Sequence, residues 1–279
     1  MITVYNVMNH LANMVETGFV GAVDRLYGRF PRPMPSGEQL RRCRIVSHRG
    51  EHDNRVVYEN TLPAFAAAAA AGVWGLEFDV RWTRDVHPVV IHDANLSRLY
   101  GRSEKTADLK LATLRALDLP IPTLAEVIDR YGGRHHLMVE IKEGTLVRPG
   151  LQNRALKALF DSLTPGRDYH LMSLAPREFA LIDFVSPKAL LPISRANVYQ
   201  LQRQVLKKGY GGLTGHFLLM TTARLGRLRA AGRRAGTGFV NCRSVLFREV
   251  SRGVDWIFSD RAAYLQGICR RSTQMHPDG

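Results

Sequence analysis

A chain of 279 residues with 45% hydrophobic and 23% charged residues is long enough for one large domain with a substantial core, and its composition is neither fibrous nor disordered. Three cysteines at positions 43, 242 and 269 are an odd count without metal-type spacing, which argues against a disulfide framework and fits reduced, partly buried thiols. The net charge of +14 leaves two readings level, a solvated arginine-rich surface and attraction to anionic lipid head groups; nucleic acid is set aside because no RNA-binding aromatic signature accompanies the basic residues.

The chain opens Met1-Ile2-Thr3, without basic residues. No run of the ~20 apolar residues that spans a bilayer follows, so neither a secretory signal nor a spanning helix is expected. The expected location is cytoplasmic, with peripheral contact at a membrane left open. Val4, Val7, Met8, Leu11, Val15, Phe19, Val23 and Leu26 recur at helical spacing, which predicts a long amphipathic helix. It packs back on the main domain, makes a dimer contact or lies in a membrane interface; its polar face has few basic residues, which weighs against the last. Phe30 to Gly37 is a proline-rich linker. Residues 1–43 are therefore read as an N-terminal extension, 44–270 as the main domain and 271–279 as a tail.

From Arg44 the pattern alternates strand and helix. Strands are expected at Arg44 to Ser47, Trp74 to Val80, Pro88 to Ile91 and Leu137 to Ile141, with helices at Leu62 to Ala71 and Thr123 to Tyr131. Later strands are expected at Tyr169 to Leu174, Leu190 to Ile193, Gly211 to Thr214, Gly238 to Asn241 and Trp256 to Ser259, while Arg233-Arg234 between glycines is expected to be a loop. Such alternation predicts a parallel sheet wrapped by helices, and a closed barrel suits it better than a dinucleotide fold because no nucleotide-binding glycine fingerprint follows the first strand.

Polar residues gather at the C-terminal ends of the expected strands, the active-site face of such a barrel. His48 and Arg49 follow the first, Glu77 and Asp79 lie on the second, His92 and Asp93 close the third, and Glu140 and Lys142 end the fourth. Alternate strand residues share a face, so Glu77 with Asp79, and Glu140 with Lys142, point to the barrel axis while Phe78 and Ile141 point to the helices. Three converging carboxylates need a cation, and an all-oxygen set suits Mg²⁺ or Ca²⁺ better than zinc. With Arg49 and Lys142 for a phosphate group and His48 and His92 for proton transfer, the set describes metal-assisted attack on a phosphodiester.

Ser47-His48-Arg49-Gly50, Glu59-Asn60-Thr61-Leu62-Pro63-Ala64-Phe65, Gly75 to Val80, Thr83-Arg84-Asp85 and Pro88 to Asp93 follow one another in this order, then Ile121 to Val127, Val139-Glu140-Ile141-Lys142 and Gly253 to Arg261. This series, covering roughly Arg44 to Leu265, resembles the glycerophosphodiester phosphodiesterase family. The resemblance implies a TIM (β/α)8 barrel, here carrying the N-terminal amphipathic helical extension. It implies Glu77, Asp79 and Glu140 as ligands of one divalent cation, Mg²⁺ or Ca²⁺, and His48 and His92 as general base and acid, with Arg49 and Lys142 on the phosphate of a small phosphodiester. The implied products are an alcohol and sn-glycerol 3-phosphate. By analogy His48 is the base and His92 the acid, and Glu59 is expected to cap or anchor a helix.

Three departures bear on substrate. The loop from Glu51 to Tyr58 is long and charged; His52 and Asp53 either reach the substrate or pair within the loop, the second being preferred. The segment between the third strand and Ile121 is short, leaving the mouth less covered. Thr237-Gly238-Phe239-Val240-Asn241 lacks the family's Trp, and Ser173-Leu174 replaces its Ser-Phe. Two further functions compete: lysophospholipase D-like hydrolysis of lysophospholipids at a membrane, and a phosphate- or lipid-binding barrel without turnover.

Overall fold

The computed structural model describes residues 26–275; residues 1–25, and with them almost all of the expected N-terminal helix, lie outside the described residues. After a helical end at residues 26–28 the described chain forms α1 (Gly37–Arg41), opened by a capping box between Ser36 and Gln39. It then runs β1 (Ile45–His48), α2 (Leu62–Ala70), β2 (Gly75–Trp82), β3 (Pro88–Val90), α3 (Ser97–Tyr100), α4 (Leu111–Ala116), α5 (Leu124–Tyr131), β4 (His136–Ile141), α6 (Pro149–Leu159) and β5 (Tyr169–Ser173). The second half holds β6 (Leu190–Ser194), α7 (Val198–Lys208), β7 (Gly212–His216), α8 (Thr222–Ala230), β8 (Arg234–Gly238), α9 (Arg243–Ser251), β9 (Trp256–Ser259) and α10 (Ala262–Met275).

Eight of these strands run parallel in the order β1-β9-β8-β7-β6-β5-β4-β2, and β2 pairs back onto β1, closing the sheet into a barrel. The expected (β/α)8 barrel is the observed fold. Between β5 and β6 the chain makes two 3-10 turns, Pro176–Leu181 and Pro187–Ala189, in place of an α-helix. Most of the core lies between strands and helices, where Phe65, Phe78, Leu137 and Ile141 are fully buried. A second cluster of Val46, Met138, Met172, Leu191, Trp256 and Phe258 fills the barrel itself. Cys43, Cys242 and Cys269 are free thiols, the first two half-buried and the third buried.

Two expected strands are corrected. The segment Pro88 to Ile91 is not the third barrel strand: β3 pairs antiparallel with β2, and the barrel's third strand is β4. The strand expected at Gly238 to Asn241 is instead β8, starting at Arg234, so Arg234 is not in a loop. The cause is steric. A Cβ on Gly236 would come within 2.8 Å of the Phe258 ring, and one on Gly212 within 2.3 Å of the Arg234 carbonyl. Tight barrel packing thus demands small residues in strands whose intrinsic β preference is poor.

Candidate active site

The strand register sets the polar residues side by side. His48 on β1 lies opposite Glu77 on β2, and Asp79 on β2 lies opposite Glu140 on β4. Just past β1, Arg49 and Gly50 both take positive φ, 59° and 79°. A Cβ at Gly50 would meet the Ala64 backbone at 2.7 Å, so only glycine completes this turn. The turn aims the Arg49 backbone N–H at Glu77 Oε2, 3.2 Å away, and its guanidinium at Glu59 (3.1 Å) and Asp79 (3.2 Å). Asn60, also at positive φ (60°), donates to Asp79 Oδ2 at 2.7 Å and accepts the Asp79 N–H. Non-glycine residues held there mark backbone strain of the kind that concentrates at functional sites.

All seven expected site residues converge at the C-terminal mouth. Lys142 Nζ lies 2.6 Å from Asp79 and 2.7 Å from Glu140. His48 stands between Asp260, to which its Nδ1 donates at 2.7 Å, and Glu77, 3.8 Å from its Nε2. His92 enters from the β3 hairpin: Ile91 N–H bonds the Asp79 carbonyl, Arg81 Nε donates to the His92 carbonyl at 2.7 Å, and His92 Nδ1 meets Asp93 at 2.8 Å.

Three groups outside the expected set support it. Asp260, directly after β9, fixes His48 and is itself held by Asn241, whose Nδ2 donates to it at 3.1 Å. Glu59 does not cap α2; Thr61 does, accepting from Ala64 N–H. Glu59 is instead buried under Arg49, Arg98 and Asn54, and Arg98 continues to Asp93. One ionic chain therefore runs from His92 through Asp93, Arg98, Glu59, Arg49 and Asp79 to Lys142. Glu59 and Asp260 stood inside quoted motifs, but nothing local tied them to Arg49 or to His48, and Arg98 lay outside every motif. In the loop after Gly50, Asp53 accepts the N–H groups of Arg55, Val56 and Val57, and His52 bonds the Gly50 carbonyl, an internally paired loop. Phe239 packs edge-on against His48 with centroids 5.4 Å apart, so an aromatic wall is present although the family's Trp is missing.

The electrostatics follow from burial and neighbours. Burial, with Asp79 and Glu140 beside it, pushes Glu77 up to about 8 against the pull of His48 and Arg49. Burial would do the same to Asp79, but Lys142 and Arg49 overcome it and hold that carboxyl well below its ordinary range. Burial and Arg49 push His48 down, yet Glu77 and the hydrogen-bonded Asp260 outweigh them, and its pKa stands above the ordinary histidine value. Burial, Arg49 and Lys142 depress His92 below it. Glu77, Asp79 and Glu140 each bring a carboxylate oxygen within 4.8 Å of the others. This set fits a hard divalent cation: its donors are all oxygen, and three carboxylates converge on one point.

A family profile, the glycerophosphoryl diester phosphodiesterase family, matches residues 48–263. The chain belongs to this family. A glycerophosphodiester phosphodiesterase of Caldanaerobacter subterraneus subsp. tengcongensis is 35% identical over 127 residues, covering 41% of this chain and 51% of its own length. The chain thus spans about half the length of that relative. A Mycobacterium tuberculosis protein named as a probable glycerophosphodiester phosphodiesterase is 26% identical over 239 residues, covering 80% and 89% of the two chains. The Thermotoga maritima glycerophosphodiester phosphodiesterase structure superposes with a TM-score of 0.65 at 23% identity, covering 81% of this chain and 98% of that one. An Oleispira antarctica phosphodiesterase, solved with the product sn-glycerol-3-phosphate, gives 0.62 at 24% identity, covering 80% and 95%. At these identities the structures bear on the fold alone.

Proposed function

We propose that this chain hydrolyses glycerophosphodiesters to an alcohol and sn-glycerol 3-phosphate, by general acid–base catalysis at a site holding one Mg²⁺ or Ca²⁺. The observation that carries the proposal is the placement of two histidines, each with a carboxylate on Nδ1, around the cluster of Glu77, Asp79 and Glu140. Family membership supports the substrate class.

Glu77, Asp79 and Glu140 would hold the cation, which would polarise the phosphoryl group and offset the carboxylate charge. Arg49 and Lys142 bind the phosphate while balancing Asp79 and Glu140. Water attacks phosphorus and the P–O bond to the alcohol breaks, so one proton must leave the nucleophile and one must reach the departing oxygen. The electrostatics favour the reverse of the assignment made by analogy. His92, whose pKa is lowered by burial, Arg49 and Lys142, is suited to take the nucleophile's proton. His48, whose pKa is raised by Glu77 and by the hydrogen-bonded Asp260, is suited to protonate the alkoxide; a cation on Glu77 weakens one of these partners and leaves Asp260.

The test is release of glycerol 3-phosphate from glycerophosphocholine by the purified chain, with Mg²⁺, with Ca²⁺ and with EDTA, beside His48→Ala. Release that EDTA abolishes, and that the variant lowers by about 10²–10⁴-fold, is expected. Absence of any EDTA-sensitive release would overturn the proposal and leave a barrel that binds phosphate without turnover.

A further inference from the structure

Around half of the mouth, the loops after successive strands share a feature that hydrolysis does not use. Val147 between β4 and α6 is 75% exposed, Leu151 in the first turn of α6 47%, and Leu181 ending the 3-10 turn after β5 39%. Tyr199 in the first turn of α7 is 57% exposed, and Leu219 between β7 and α8 37%. These are five of the ten large apolar side chains exposed among the described residues. Because β4, β5, β6 and β7 are neighbours in the sheet, the five form one arc. The first two loops are also tied together: Asn153 donates to the Leu181 carbonyl at 2.6 Å, and Gly144 N–H to Glu178 at 3.2 Å.

Exposed arginines interleave with this arc, Arg148 and Arg154 beside Val147 and Leu151, and Arg195 before Tyr199. Its exposed acids are Glu143, paired with Arg177, and Asp183. A single exposed leucine calls for no explanation. Five apolar side chains along one edge of a catalytic mouth, with cations between them, match an interfacial surface: the apolar groups enter the acyl boundary while the arginines meet lipid phosphates. A polynucleotide would engage the arginines and leave the aliphatic groups in water. The opposite end of the barrel carries cations too, Lys207 and Lys208 among them, with Leu206 beside them in α7.

We propose that the arc over β4–β7 is a docking surface for an anionic lipid bilayer. A bilayer seated there sets acyl-bearing phosphodiesters at the mouth, so the amphiphilic substrates are lysophospholipids; this part rests on the hydrolysis proposed above.

The test is co-sedimentation of the full chain with vesicles of phosphatidylcholine alone and of phosphatidylcholine with phosphatidylglycerol. Choline release is followed in parallel from lysophosphatidylcholine in the mixed vesicles and from soluble glycerophosphocholine. The parent is expected to sediment with the mixed vesicles only. Val147→Glu/Tyr199→Glu is expected to lose about tenfold or more in vesicle partitioning and to lose lysophosphatidylcholine turnover in step, with glycerophosphocholine turnover unchanged. Lys207→Gln/Lys208→Gln at the opposite end is expected to bind as the parent does. Failure of the parent to bind anionic vesicles overturns the proposal. So does undiminished binding by the arc variant, or loss of binding only in the Lys207/Lys208 variant. Absence of turnover from both substrates sinks the hydrolysis and leaves vesicle binding as the readout for the arc.

Discussion

At the scale of single residues, the site's character comes from partners that lie far apart in the chain. Asp260 reaches His48 across 212 positions only because β9 pairs with β1. The seven expected residues were legible because each ends or lines a strand with its own local pattern, whereas the Asp260–His48 pair exists only once the barrel closes. Its effect is testable by sign. Removing the Asp260 charge withdraws a group that raises His48, so Asp260→Asn lowers the His48 pKa. If His48 is the acid, the alkaline limb of the kcat/KM profile moves to lower pH; if it is the base, the acid limb moves that way instead. A second sign concerns Glu77, pushed up to about 8 by burial and its carboxylate neighbours. A cation must displace that proton, so Mg²⁺ or Ca²⁺ binding to EDTA-stripped protein is expected to be weaker at pH 6.5 than at pH 8.5, with proton release from the protein visible to calorimetry in buffers of different ionisation enthalpy. Affinity that does not change with pH would mean that Glu77 is no ligand.

At the scale of elements, local chemistry was readable where one segment stabilises itself and unreadable where a neighbour decides. The apolar run of β2 and β4, and the Thr-x-x-Glu box that opens α5 with reciprocal bonds between Thr123 and Glu126, carry their own signals. The apolar run of β3 signals a strand but not its direction, which is set by its hairpin with β2. In β8, Arg-Ala-Gly-Thr-Gly has little β preference, and the more strand-like Gly238 to Asn241 drew the expectation four residues too late. The β1–α2 turn shows the same principle in its most demanding form. Gly50→Ala must strain a residue at φ 79° and push Cβ against the Ala64 backbone. A loss of about 2 kcal/mol or more is expected from urea denaturation, together with reduced activity because Arg49 and Glu77 share the turn. Thr61→Ala, which removes only the cap of α2 and a bond to the Tyr58 carbonyl, is expected to cost about 1–2 kcal/mol.

At the scale of the whole molecule, the barrel's two ends solve opposite problems. The mouth gathers charges that want a cation; the other end seals the core with a stacked polar cluster. There Trp74 stacks on His136 at 4.4 Å, His170 meets the Trp256 ring edge-on at 5.1 Å, and Arg44 and Arg234 lie over the two indoles. The tautomers follow from the partners. His136 Nδ1 faces the Arg167 carbonyl at 2.8 Å, which only accepts, so Nδ1 carries the hydrogen; His136 Nε2 must then accept from His170 Nδ1 at 2.7 Å. Both rings are neutral, and a proton on either breaks this order next to two arginines. Burial, with Arg234 and Arg44 nearby, lowers His136 to about 4; burial, with His136 and Arg234, lowers His170 to about 3. The unfolded chain therefore takes up two protons as pH falls through about 6.5 while the folded barrel does not until about 4. Stability that is present above pH 6.5 is lost on acidification, at about 1.4 kcal/mol per pH unit for each histidine. His170→Asn keeps a donor for His136 and cannot titrate. Urea denaturation between pH 7 and 4.5 should then show a shallower decline for this variant than for the parent, whatever its stability at pH 7. Parallel declines would mean that His170 takes up no proton on unfolding and that the acid sensitivity of the sealed end lies elsewhere.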